Sequence, residues 1–136
     1  MRKAVWLFGL LMATMAMQAQ LAVTVSPPKV VGQKAVVKLA MKNNLADKVE
    51  SARAVCFLLD DRSNMVGQST KWVIGGSQDK AGLAAAASRT FNFVVSSPGT
   101  WTTTNLTAKI SFSRVVLSGG KLADVQRDVN VNESAK

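Results

Sequence analysis

The segment from Lys34 to Lys42 reads KAVVKLAMK, and its polarity alternates residue by residue. Ala35, Val37, Leu39 and Met41 fall on one side; Lys34, Val36, Lys38, Ala40 and Lys42 fall on the other. A period of two belongs to a β-strand, and a slip of one residue would carry the lysines into the core, so this segment is pinned in one register. The same pattern recurs along the chain, as short β-branched or aromatic runs broken by Gly, Asn, Asp, Ser or Pro. Leu21 to Val25 is a first strand, ended by Pro27-Pro28. Val49 to Leu59 is apolar on both sides, which predicts a central strand. The turn Asp60-Asp61-Arg62-Ser63-Asn64 leads into Met65 to Ile74 as its hairpin partner, closed by Gly75-Gly76. Further strands are expected over Thr90 to Val95, over Leu106 to Val116, and through Val125, Val129 and Val131 after the turn Ser118-Gly119-Gly120. The stretch Ser77 to Ala87 holds four consecutive alanines, but its length and Gly82 leave room for a single helical turn at most. About seven short strands with frequent turn signals predict an all-β, antiparallel β-sandwich.

The first 19 residues follow a different pattern. Arg2 and Lys3 precede an uncharged, mostly apolar run from Ala4 to Met17, and Ala19 supplies a small residue at a cleavage position. That is the three-part layout of a secretory signal peptide, and the run is short of the roughly 20 apolar residues a membrane-spanning helix needs. Its removal would lower the net charge from +9 to +7 and leave no membrane-spanning segment. The expected organisation is a signal peptide over 1–19, one sandwich domain over 20–131 and a polar tail over 132–136, with the product exported to the periplasm or beyond. One cysteine, Cys56, excludes an internal disulfide and suits a bacterial envelope better than a eukaryotic secretory route. Asn105-Leu106-Thr107 and Asn132-Glu133-Ser134 fit the glycosylation sequon, which in a bacterial host is a chance match.

Phe57-Leu58-Leu59-Asp60-Asp61, Met65-Val66-Gly67, and Leu83 followed by Phe91-Asn92-Phe93 resemble the immunoglobulin-like modules of bacterial exported proteins, among them the FxLYD family. Leu59 stands where that family has its tyrosine, and Ala85-Ala86 where Pro-Gly would be expected. The resemblance spans Val31 to Phe93. It implies an immunoglobulin-like sandwich with a binding or accessory role, and brings no catalytic residues with it.

Composition narrows the chemistry. The chain has no histidine, so His-based acid–base catalysis, Ser–His or Cys–His nucleophiles and His-rich metal sites are excluded. No Ser-x-x-Lys stands on a helical pattern, and neither Gly-Gly pair opens a helix that could cradle phosphate. Asp60, Asp61 and Asn64 offer too few oxygens for calcium and read as a turn whose side chains bond its own backbone. Cys56, between Val55 and Phe57, is expected to be a buried, inert thiol. No catalytic group, metal or cofactor is therefore expected, and the protein is read as a non-enzyme.

What remains is binding. Lys34, Lys38 and Lys42 share a strand face and would span about 26 Å at 3.3 Å per residue. With Lys29 and Lys48 nearby, they could track an anionic glycan or a lipid A headgroup. The competing reading is an edge strand whose lysines block aggregation. Trp72 is expected to cover one end of the core, whereas Trp101, after Pro98-Gly99, is the more exposed tryptophan and a candidate partner contact. Nucleic acid is not expected, because no aromatics interleave with the lysines. The expected function is a non-catalytic interaction module of the envelope, with another envelope protein as partner. The alternative is a binder of anionic polysaccharide or lipopolysaccharide through the lysine face.

Overall fold

Alternating burial organises the computed structural model, which describes residues 19–76, 81–97, 101 and 103–133. The expected signal peptide, the Pro98-Gly99 turn and the last three residues of the tail lie outside the described residues, Ala19 excepted. The strands are β1 (Leu21–Val25), β2 (Lys29–Val31), β3 (Lys34–Asn43), β4 (Val49–Leu59), β5 (Met65–Ile74), β6 (Ser88–Ser96), β7 (Thr107–Leu117) and β8 (Val129–Glu133). A 3-10 turn (Ser118–Gly120) and a one-turn helix, α1 (Val125–Asp128), precede β8. The chain is mostly β and forms two sheets, in keeping with an all-β sandwich.

In the first sheet β3 is the trunk. It pairs along its length with β6 on one side, from Lys34↔Ser96 to Lys42↔Ser88. On its other side β1 covers Leu39 to Asn43 and β2 covers Lys34 to Val36. Pro27-Pro28 divides these two, since neither proline has an N–H for the ladder. Ser26 completes the join: its backbone N–H donates to Lys38 O at 3.0 Å, and its hydroxyl accepts from Lys38 N at 3.0 Å. β2 returns into β3 through a tight turn with Gly32 at φ 61, a conformation open to glycine without a Cβ clash. In the second sheet β4 lies between β5 and β7, both antiparallel to it. The central position expected for Val49–Leu59 is the one it occupies.

Val23, Val37, Leu39, Phe93 and Val95 of the first sheet meet Ala54, Cys56, Leu58, Phe112 and Val115 of the second in one core. Phe93 is fully buried and meets Phe91 edge-to-face, with ring centroids 6.1 Å apart. Asn43 is the one buried polar side chain among the described residues. Its Nδ2 donates to Asp47 O (2.9 Å) and Leu83 O (3.0 Å), and its Oδ1 accepts from Leu45 N (2.9 Å). This satisfied hub ties two loops to the end of β3.

Three expectations need correction. There are eight strands, because β2 adds a short one after the prolines. The sandwich is not wholly antiparallel, since β8 runs parallel to β1, from Leu21↔Val129 to Val25↔Glu133. The last strand does not begin at Val125; it spans Val129–Glu133. The Asp124 side chain accepts from the N–H groups of Gln126 (3.0 Å) and Arg127 (3.3 Å), which caps α1 and holds those residues helical.

Candidate binding surface

The alternation of β3 sends Ala35, Val37, Leu39 and Met41 into the core and leaves Lys34, Lys38 and Lys42 exposed on the outer face of the first sheet. Directly paired residues share a face, so the neighbours follow from register. Lys29 stands opposite Val36 and joins the row. Lys48 does not; it sits in the loop before β4, close to Gly82. None of the residues paired on this face is acidic. Among the described residues none of the four lysines is in an ion pair. β3 is an interior strand, so its lysines do not guard an edge.

The two halves of the row differ. Around Lys34 the neighbours are mixed: Val31 and Ser96 flank it, and Val36 lies between Lys29 and Val94. Around Lys42, they are small or hydroxylated. One row across the sheet reads Asn130, Ala22, Lys42, Ser88, and the next reads Asn132, Thr24, Ala40, Thr90. Small side chains there leave a shallow depression of about 230 Å³, with Lys42 on its rim. Arg89 also borders it, donating from Nη2 to Gly82 O at 2.7 Å. No intramolecular partner engages the hydroxyls of Thr24, Ser88 or Thr90 among the described residues. This depression was not legible beforehand, because it is made by register across four strands. A second pocket, of about 30 Å³ between the end of β1 and the start of β7, has room for little more than a water molecule.

The outer face of the second sheet carries Arg53, Val55, Phe57 and Leu59 on β4, all half-buried. Trp72 lies opposite Arg53, with the guanidinium carbon 5.6 Å from the ring centroid. Trp72 is 41% exposed, so it caps no end of the core and the expectation for it is corrected. Trp101 is the more enclosed of the two. It packs against the core, and a methyl placed on Gly67 would come within 3.5 Å of its ring. Its Nε1 is buried without a hydrogen-bond partner among the described residues.

The remaining candidates keep structural roles. Cys56 is fully buried, and burial pushes its thiol up to about 11, so it is protonated and unreactive at neutral pH. The Asp60 carboxylate accepts from Asn64 N (2.8 Å) and Arg62 N (2.9 Å), which holds it below the usual carboxylate range and closes the turn. Among the described residues no three His, Cys, Asp or Glu side chains are grouped as a metal site would require, and no helix is long and apolar enough to cross a membrane. Compared with protein-family models, curated proteins and solved structures, the chain matches none.

Proposed function

We propose that this chain is an exported, non-catalytic module of immunoglobulin-like build that holds an anionic glycan of the bacterial envelope on its lysine face. The observation that carries this is the place of β3. Lys34, Lys38 and Lys42 stand in the middle of a sheet, joined by Lys29, with no carboxylate on the same face. Lysines that protect an edge belong on an edge strand. An interior row of unpaired cations creates a field that gathers a polyanion and releases its counterions on binding. Immunoglobulin-like build is supported by the pairing of β3 with β6 in one sheet and of β4 with β5 and β7 in the other. The departure from that plan is β8, which joins β1 rather than β7.

A second reading, docking of an envelope protein by strand addition, rests on β7. Its C-terminal end is covered by residues 121–123, with Ala123 N bonded to Val115 O and Leu117 N to Lys121 O. Thr107 to Ser113 has no strand on the side away from β4 among the described residues. That edge could accept an extended segment.

The two readings part on salt. Protein recovered from cells expressing the full chain would be titrated with polygalacturonate and with lipopolysaccharide at low and high ionic strength. Charge-driven binding falls steeply with salt, and Lys38→Glu lowers affinity by about tenfold or more with the thermal midpoint unchanged. Binding of either polyanion that ignores both salt and Lys38→Glu, or no binding of either, would overturn the proposal.

A further inference from the structure

On the premise that the lysine face binds an acidic glycan, we infer that the depression around Ala40 is the seat of one sugar ring, flanked by anionic groups held at Lys38 and Lys42. Ala40 lies midway between these lysines on the same face of β3. Four residues of strand set them about 13 Å apart. A methyl side chain is the smallest that an alternating strand can place there short of glycine. Its neighbours across the sheet, Thr24 and Thr90, offer free hydroxyls at the same level. One row further, Ala22 and Ser88 flank Lys42 and keep the floor low. A ring laid on Ala22 and Ala40 would meet hydroxyl groups at its edges and ammonium groups at its ends.

The other half of the row lacks this floor. Between Lys34 and Lys38 stands Val36, with Val94 opposite. Val36 fills the position that Ala40 leaves open, and neither valine offers a partner to a hydroxyl group. The face therefore reads an acidic glycan in two ways: charge along its whole length, and ring shape at one end only. A polyanion without sugar rings would be held by the lysines and would not sense the seat. The occupant favoured by charge and by the hydroxylated floor is a uronate-containing polysaccharide, whose carboxylates supply the anions and whose rings supply a C–H face for Ala22 and Ala40 and hydroxyl-bearing edges for Thr24 and Thr90.

The test uses protein purified from cells expressing the full chain, with three probes: polygalacturonate, polyphosphate and neutral dextran. Ala40→Ile fills the seat with a side chain that strands favour, and Thr90→Val removes a hydroxyl at nearly constant shape. Each is expected to weaken polygalacturonate by about fivefold, the scale of one lost polar or packing contact, and to leave polyphosphate unchanged. Lys38→Glu is expected to weaken both, and dextran to bind too weakly to measure. Should Ala40→Ile and Thr90→Val leave polygalacturonate unchanged while Lys38→Glu weakens it, the seat is wrong and the lysine face stands. Loss of both polyanions in Ala40→Ile would also overturn the seat, since the effect would not depend on a ring. If neither polyanion binds the unaltered protein, the reading of the lysine face falls and the seat falls with it. Circular dichroism and the thermal midpoint establish that each variant is folded; if Ala40→Ile is not, Thr90→Val decides.

Discussion

On the outer face of the first sheet β3 presents Lys34, Val36, Lys38, Ala40 and Lys42, whereas on the second β4 presents Arg53, Val55, Phe57 and Leu59. Both strands are interior, and both turn every other residue outward. They differ in what stands beside them. Phe57 has Gln68 and Lys109 as cross-strand neighbours, Leu59 has Met65 and Thr107, Val55 has Thr70 and Ser111, and Arg53 has Trp72, and all four β4 residues are half-buried. Lys42 has Ala22 and Ser88, and Ala40 has Thr24 and Thr90, and both are exposed, whereas Val36, between Lys29 and Val94, is half-buried. The outward side chains themselves and their neighbours thus separate a half-buried, largely apolar spine on β4 from an open charged surface at the Ala40–Lys42 end of β3.

The strongest way to break this contrast is to remove what lies beneath both faces. Phe93 is fully buried under the first sheet, opposite Val37, and packs in the core shared by the two. Phe93→Ala is expected to cost about 3–5 kcal/mol of stability by urea denaturation, as lost transfer energy plus the cavity left behind. At temperatures where the variant remains folded, polygalacturonate affinity should be retained, because no lysine is touched. A large fall in affinity while the native circular dichroism is preserved would show that the face depends on core packing as well as on charge.

A smaller effect sharpens the contrast from the other side. Trp72 and Arg53 form a cation–π pair on the second sheet at 5.6 Å, far from the lysine row in register and on the opposite sheet. Trp72→Ala is expected to lower stability by about 0.5–1 kcal/mol, the scale of an exposed pair of this kind. Anion affinity should not change. If it fell as far as in Lys38→Glu, the ligand would have to engage the second sheet, and the assignment of the two faces would be reversed.

How much of this was legible in the sequence follows from what period two encodes. Strand β3 and its outward lysines were legible because alternation over nine residues leaves one register, and β4 was legible as an interior strand because both its sides are apolar. The rest escaped for separate reasons. β2 is three residues long and follows two prolines, so it has no periodicity to read; the Gly32 turn behind it is its only mark. Strand β8 is shortened by Asp124, whose capping of α1 outweighs the strand preference of Val125. The parallel pairing of β8 with β1 and the depression at Ala40 depend on which strands become neighbours, and no local pattern carries that. Loop position in the sequence ranks Trp101 as the more exposed tryptophan, whereas exposure is set by packing: Trp101 lies over Gly67, where no side chain displaces it, and Trp72 is turned outward by the register with Arg53.

An effect confined to alkaline pH concerns the inner side of β4, where Cys56 lies fully buried beneath the half-covered spine. Burial raises its thiol from an ordinary 9.0 to about 11. Below pH 9 the group is protonated in the folded and the unfolded chain alike and contributes no pH dependence. Between about 9 and 11 the unfolded chain releases the proton and the native chain does not, so the native state binds more protons and stability falls as pH rises. The urea midpoint of the native sequence should therefore drop faster across that window than the midpoint of Cys56→Ala, in which every other alkaline group is retained and cancels from the difference. Parallel profiles would mean that water reaches the thiol in the folded state. The spine of Val55, Phe57 and Leu59 would then not seal the sheet, and the second face would be as open as the first.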